Sequence, residues 1–438
     1  MTLVPGVAAV NLVFAGVGYA FLARSLRARS WAERVSWAGV ALLIGAGTVG
    51  TLVFLAAIAG VRSTLAVAAA CAVAAAAAGS FLRFDLPQRR ARPSNSLLLG
   101  VVGAICVLGL VGGFRSAPWL DDAWGIWLPK GLALWHHGLD ERLFVPNGQF
   151  VAFGVPDYPL WWSAVTSLDV QAVGHIDVRV MCAQVALLTV AFVSAVARLL
   201  WGYVRPSVLA GGLLLLVLCS ELWRHVQGGV ADLPLAIYVA LFALGLVVWI
   251  ETEEAFALLV AGVSGVTAVQ IKTEGIAEVL IVAAVAAIAA LPRGRLRGLG
   301  LVTAVVAASA LPWLLWRWAH DVPSRTPLAD TFEFGNAGRA ADAAGELAGR
   351  LLDPLSWLVV VPLLVALGLA GYLRDRRIEW LFPTLGLAAG FAFLVWAYWT
   401  NPDPIDYLLT TSAYRTIDPL VLSAAVFVPL QAEYLLRR

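Results

Sequence analysis

Thirteen apolar stretches recur along this chain, each near the length of about 20 residues that an α-helix needs to cross a hydrocarbon core of roughly 30 Å. That repeat admits few folds, because in lipid every backbone polar group must be satisfied inside the chain, which leaves helices or a closed barrel. The stretches are too long for barrel strands. The chain therefore reads as an all-α polytopic membrane protein with about 13 transmembrane helices, at 4-23, 36-60, 64-82, 96-113, 180-199, 207-221, 233-250, 256-271, 275-291, 298-318, 354-373, 380-399 and 416-435. Only 13% of residues are charged and 61% are hydrophobic, against roughly a quarter charged in soluble domains. The first stretch has no basic residue before it and no small-residue cleavage pattern after it, so it is expected to be a true span.

The charges are sorted by side. Arg24, Arg27, Arg29 and Arg34, then Arg83, Arg89, Arg90 and Arg92, then Arg198 and Arg205, Arg293, Arg295 and Arg297, Arg374, Arg376 and Arg377, and finally Arg437 and Arg438 all fall on one side when thirteen spans are threaded alternately. The positive-inside rule then places the amino terminus outside and the carboxyl terminus in the cytoplasm. The formal net charge of +2 conceals this bias and gives no ground for a nucleic-acid partner. Cys71, Cys106, Cys182 and Cys219 lie inside apolar segments without metal-ligand spacing, so they read as small buried hydrophobes.

Three connections project outward, at 114-179, 319-353 and 400-415. The first holds six of the eighteen tryptophans. Trp124, Trp127 or Leu128, Gly131 and Trp135 recur at helical spacing, which predicts an interfacial helix with Pro129 in its first turn. For any single tryptophan the plain reading is an aromatic belt at headgroup depth.

The remaining ionisable groups gather on this outer side. Asp121 and Asp122 follow the fourth span, and Asp157 and Tyr158 sit in a Pro-Asp-Tyr-Pro turn. Glu221, Arg224 and His225 end the sixth span, Asp232 opens the seventh, and Lys272, Glu274 and Glu278 occupy the hairpin between the eighth and ninth. Arg415 begins the last span. Charges at membrane depth are costly without a partner or an aqueous cavity, so the set reads as a site. Lysine usage sharpens this, since the chain has 28 arginines and only Lys130 and Lys272 as lysines. A compact ammonium suits a phosphate contacted as a point charge.

Simpler roles compete for several of these residues. Asp232, two residues before Pro234, fits a helix N-cap. Glu274 could pair structurally with Lys272. His136 and His137 have no second His or Cys cluster to make a zinc site. A divalent metal is possible but finds no support in ligand spacing, and no other cofactor is indicated.

The segments Asp122-Ala123-Trp124-Gly125-Ile126-Trp127-Leu128-Pro129-Lys130, Pro156-Asp157-Tyr158-Pro159-Leu160, Ala231-Asp232-Leu233-Pro234-Leu235-Ala236 and Lys272-Thr273-Glu274-Gly275 together resemble bacterial integral-membrane glycosyltransferases of the GT-C superfamily, strongest from about residue 96 to 291. Protein mannosyltransferases and lipid A aminoarabinose transferases are of this kind. The resemblance implies a GT-C-like module at 96-320 containing the outward loop. It is flanked by three helices at 1-95 that such enzymes do not place before the acidic loop, and by an outward loop and three helices at 321-438 without a large soluble domain. It implies an inverting transferase in a bacterial plasma membrane, taking sugar from a polyprenyl-phosphate donor and passing it to a glycan, lipid or protein hydroxyl at the outer face. Asp122 is then the base, with Asp121 as its orienting neighbour or alternative, and Asp157 and Asp232 as the competing carboxylates. Lys272, Arg415 and Arg224 are the phosphate contacts, and Lys130, Asp157, Tyr158, Asp232, Glu274, Trp124 and His225 support or bind substrate. The rival readings are a lipid-linked saccharide flippase or transporter, a lipid-linked glycan polymerase or ligase, and a scaffold. A transporter would place its charges near the midplane.

Overall fold

The computed structural model describes residues 3–86, 96–145, 154–324 and 337–437. Among the described residues it is all-helical. Arg89, Arg90, Arg92 and Arg438 lie outside them. The amino-terminal part comprises α1 (Leu3–Leu26), the single turn α2 (Trp31–Val35), α3 (Ala38–Ile58), α4 (Leu65–Gly79) and α5 (Ser96–Arg115). The first long connection, residues 114–179, carries α6 (Leu128–His136) and α7 (Trp161–Val173). Next come α8 (Arg179–Leu200), α9 (Pro206–Val217), α10 (Ser220–Gly228), α11 (Asp232–Thr252), α12 (Ala255–Ile271), α13 (Glu274–Ala290) and α14 (Leu296–Ala319). The chain closes with α15 (Ala337–Leu351), α16 (Val360–Asp375), α17 (Phe382–Thr400), α18 (Ile405–Thr411), α19 (Ala413–Thr416) and α20 (Asp418–Arg437).

Nine of the described helices are long and apolar enough to cross a membrane, and α9 with α10 would make a tenth as one bent span. The apolar helices α4 and α12 are shorter. The pillar of the molecule is α11, buried without interruption from Asp232 to Leu246. It packs against α12, α20, α13 and α8, which is why its sequence is apolar all round instead of amphipathic. The first helices belong to the same body, since α3 packs on α8 and α12, and α1 on α3 and α7. Small residues make this possible: a Cβ on Gly45 would collide with the Phe14 carbonyl oxygen, so α1 and α3 touch backbone to backbone.

The ends of the bundle differ in chemistry. At one end Arg205 pairs with Glu433 at 3.0 Å, Arg293 with Glu251 at 2.9 Å and Arg295 with Glu253 at 2.9 Å, while Arg374 and Arg437 donate to the Leu435 and Tyr203 carbonyls. The basic loops are thus stitched together there. The opposite ends of α11 and α20, with the α12–α13 turn, carry Asp232, Asp418 and Lys272.

Two expected elements differ. The sixth span does not run to Glu221: α9 stops at Val217 and the chain bends by 53° into α10. The Ser220 hydroxyl donates to the Leu355 carbonyl at 2.7 Å across the break. The first long connection also contains α7, every residue of which from Trp161 to Val170 is buried, so Trp161 and Trp162 are core and not an aromatic belt.

Candidate functional site

Five segments converge at one end of the helix bundle on one chain of alternating charge. A turn of π-helix at Ala123–Trp127 runs straight into α6, with Pro129 in the first turn of α6, where its missing N–H costs nothing. This brings Asp122 against the carboxyl-terminal segment, and the Arg415 guanidinium lies 2.6 Å from the Asp122 carboxylate. The same guanidinium reaches Asp232 at 3.4 Å. Asp232 takes the Lys272 ammonium on its other oxygen at 2.9 Å, and Lys272 continues to Glu274 at 3.7 Å. Glu274 accepts the Tyr158 hydroxyl at 2.7 Å, and the Tyr158 ring faces the Lys272 ammonium at 5.1 Å.

The geometry of the Lys272 turn follows from its length. Only Lys272 and Thr273 separate α12 from α13, and Gly275 lies so close to the Ala268 carbonyl that a Cβ there would overlap it. The two helices are clamped together and Lys272, in extended conformation, is held at the inner corner. Lys272 and Arg415 are 6% exposed and Asp232 4%. Removing either charge from such a group would leave its partner uncompensated in a medium that penalises lone charges.

A second cluster adjoins the first through the chain. His225 on α10 is wholly buried, with Nδ1 2.8 Å from Asp418 and Nε2 3.1 Å from Glu221. Asp418 opens α20 three residues after Arg415, and α10 ends four residues before Asp232, so this cluster fixes the segments that deliver both. Arg224 pairs with Glu221 at 3.0 Å and lies over the Trp119 ring, which stacks on Tyr414.

Most expected site residues thus meet, in roles that differ in places. Asp232 makes no capping hydrogen bond and begins the helix itself, because both its oxygens are taken by cations. The N-cap reading is corrected. Asp121 is exposed and accepts the Asp122 backbone N–H at 3.1 Å, so it steers the backbone of Asp122 and stands outside the ion-pair chain. Lys130 is fully buried away from that chain, with its Nζ donating to the Val155 carbonyl at 2.5 Å and facing the rings of Trp127, Phe144 and Tyr158. Burial pulls its pKa from 10.5 down to about 7, opposed by the Asp157 charge. Burial and then the Glu274 charge push the Tyr158 hydroxyl well above its usual range.

Asp157 anchors α14, its carbonyl accepting the Trp313 N–H at 3.0 Å and its carboxylate the Ser324 hydroxyl at 3.1 Å. Trp124 is half exposed and its N–H is held by the Pro118 carbonyl at 2.9 Å. His136 stacks on Trp135. Among the described residues no group of three or more His, Cys, Asp or Glu side chains is placed to hold a metal ion. Asp418 and Tyr414 were not singled out by sequence; the Asp-Pro start of the last span was their one visible signal.

No protein-family model, curated protein or solved structure matches the chain.

Proposed function

We propose that the protein is an inverting glycosyltransferase of GT-C type, moving a sugar from a polyprenyl-phosphate donor to an acceptor hydroxyl at the outer face of a bacterial plasma membrane. The observation that carries this reading is the Asp122–Arg415–Asp232–Lys272 chain, which puts one half-buried carboxylate at the end of a line holding two buried cations. Counting α9 with α10 as one crossing and adding α4, α12 and α16 gives thirteen crossings, with the stitched arginine loops in the cytoplasm and the charge chain outside.

In this mechanism an Asp122 carboxylate oxygen takes the proton of the acceptor hydroxyl while the hydroxyl oxygen attacks the anomeric carbon. The bond from the anomeric carbon to the phosphate oxygen breaks, and the lipid phosphate leaves with the electron pair. Lys272 and Arg415 stabilise the charge that grows on it. These cations lie against carboxylates, so donor phosphate must exchange for some of those contacts. That exchange keeps two buried cations from standing unpaired before substrate arrives.

The test is acceptor-dependent release of lipid phosphate by purified protein in lipid nanodiscs, across a panel of synthetic polyprenyl-phosphate sugars and glycan, lipid and peptide acceptors. Sugar transfer with inversion supports the reading. The 53° break beside His225 is the feature a lipid-linked saccharide transporter would use. Movement of intact donor across liposomes without cleavage on any acceptor would establish that rival instead.

A further inference from the structure

Val155 adopts a backbone conformation that its own side chain disfavours. Its φ is +51°, in the left-handed region that a β-branched residue rarely enters. It also precedes Pro156, and a residue in that place ordinarily lies extended. The contacts of its carbonyl hold it there. That oxygen accepts the Lys130 ammonium at 2.5 Å and the Tyr158 backbone N–H at 3.3 Å, which closes the turn 155–158.

The turn is tied to three helices. Val155 hangs from Lys130 on α6, and the Asp157 carbonyl accepts the Trp313 N–H from α14 at 3.0 Å. The Tyr158 hydroxyl reaches Glu274 at the start of α13 at 2.7 Å, and its ring faces the Lys272 ammonium at 5.1 Å. Trp127, in the π-helical turn that follows Asp122, stacks on the Tyr158 ring at 5.6 Å. One stretch of chain thus carries Asp122 at its start and, through Val155, the tyrosine that lies on Lys272. Lys130 itself is wholly buried among the rings of Trp127, Phe144 and Tyr158, out of reach of any substrate. A methionine would fill the same apolar space, so what the ammonium adds is its hydrogen bond to the Val155 carbonyl.

We propose that Lys130 is a positioning residue: its hydrogen bond holds Val155 in the left-handed conformation, and the turn so held sets Tyr158 against Glu274 and Lys272, in fixed register with Asp122. Lys130 therefore acts on the charge chain without belonging to it. The part played by Lys272 and Asp122 in transfer rests on the function proposed above; the latch between Lys130 and Val155 does not.

The experiment is a double-mutant cycle on the full chain in nanodiscs, comparing the native protein with Lys130→Met, Val155→Gly and the two together. Glycine enters the left-handed region freely and keeps the carbonyl. A lysine that only filled space or made one hydrogen bond would be worth the same in both backgrounds. In the native background Lys130→Met is expected to speed hydrogen exchange over residues 154–160 about tenfold, the scale of a lost hydrogen bond to a charged group. In the Val155→Gly background the same change should matter by no more than about threefold. Affinity for undecaprenyl phosphate, read by native mass spectrometry, should fall in Lys130→Met and recover in the double variant. Equal effects of Lys130→Met in the two backgrounds would overturn the latch. If Lys130→Met does not fold, a double variant that also fails where Val155→Gly alone folds would overturn it too. Faster exchange with undecaprenyl phosphate affinity unchanged would overturn the link to Lys272. The expected cycle in exchange, with no transfer by the native protein on any acceptor, leaves the latch standing and removes the transferase.

Discussion

Asp232 is the residue on which the charge chain turns, because among the described residues it alone pairs with both Lys272 and Arg415. Asp232→Asn would leave two buried cations short of a carboxylate, and breaking such a pair costs roughly 3 to 5 kcal/mol. The expected result is a marked fall in Tm, where a capping role would have cost only about 1 kcal/mol. Lys272→Ala should lower donor turnover and binding, and Lys272→Arg should restore them only in part, because a planar fork does not replace a point charge.

Lys130 gives a pH dependence with a definite sign. Its folded pKa of about 7 lies below the usual 10.5, so between those values the unfolded chain binds a proton that the folded chain does not. Stability from this group is lowest below pH 7 and rises as pH climbs towards 10.5. Tm measured at pH 7 and pH 9 should therefore rise more steeply in the native protein than in Lys130→Met. The sequence displayed the rarity of lysine but not its division of labour. Lys272 meets carboxylates while Lys130 meets rings and a carbonyl, a difference set by residues such as Val155, 25 positions away.

Among the elements, the long helices were legible because a lipid-crossing segment must be continuously apolar, and their observed bounds agree with hydropathy to within a few residues. The α7 helix was not, because Ser163, Thr166, Ser167 and Asp169 interrupt its apolar pattern. In the fold the three hydroxyls donate to nearby carbonyls, Ser163 to that of Trp127 and the other two within α7, while Asp169 is buried with neither carboxylate oxygen hydrogen-bonded among the described residues. The break between α9 and α10 has neither proline nor glycine to announce it at Leu218 and Cys219. The α12–α13 clamp is testable as an element. Gly275→Val would force the helices apart at the Ala268 carbonyl, and is expected to lower Tm and donor binding together, whereas Gly262→Ala, where a Cβ meets nothing within 4 Å, should change neither.

For the whole molecule the meeting of Arg205, Arg293, Arg295, Arg374 and Arg437 at one end of the bundle was readable from sequence, since arginine placement needs only the order of loops. Which carboxylate faces which cation was not, because the partners of Asp232 lie 40 and 183 residues away. Sidedness itself can be checked with single cysteines in a background lacking the four native ones. Glu141→Cys should react with an impermeant thiol reagent in intact cells and Arg376→Cys only after lysis; the reverse would turn the charge chain to the cytoplasm. The most direct measurement of the proposed chemistry is single-turnover transfer by Asp122→Asn beside the native protein, with donor affinity measured on the same preparations. A positioned base contributes about 10² to 10⁴ in rate, so transfer is expected to fall by at least two orders of magnitude with donor binding retained and Tm lowered by less than in Asp232→Asn, because Arg415 keeps its contact to Asp232. Near-native transfer by the folded variant would contradict Asp122 as the base.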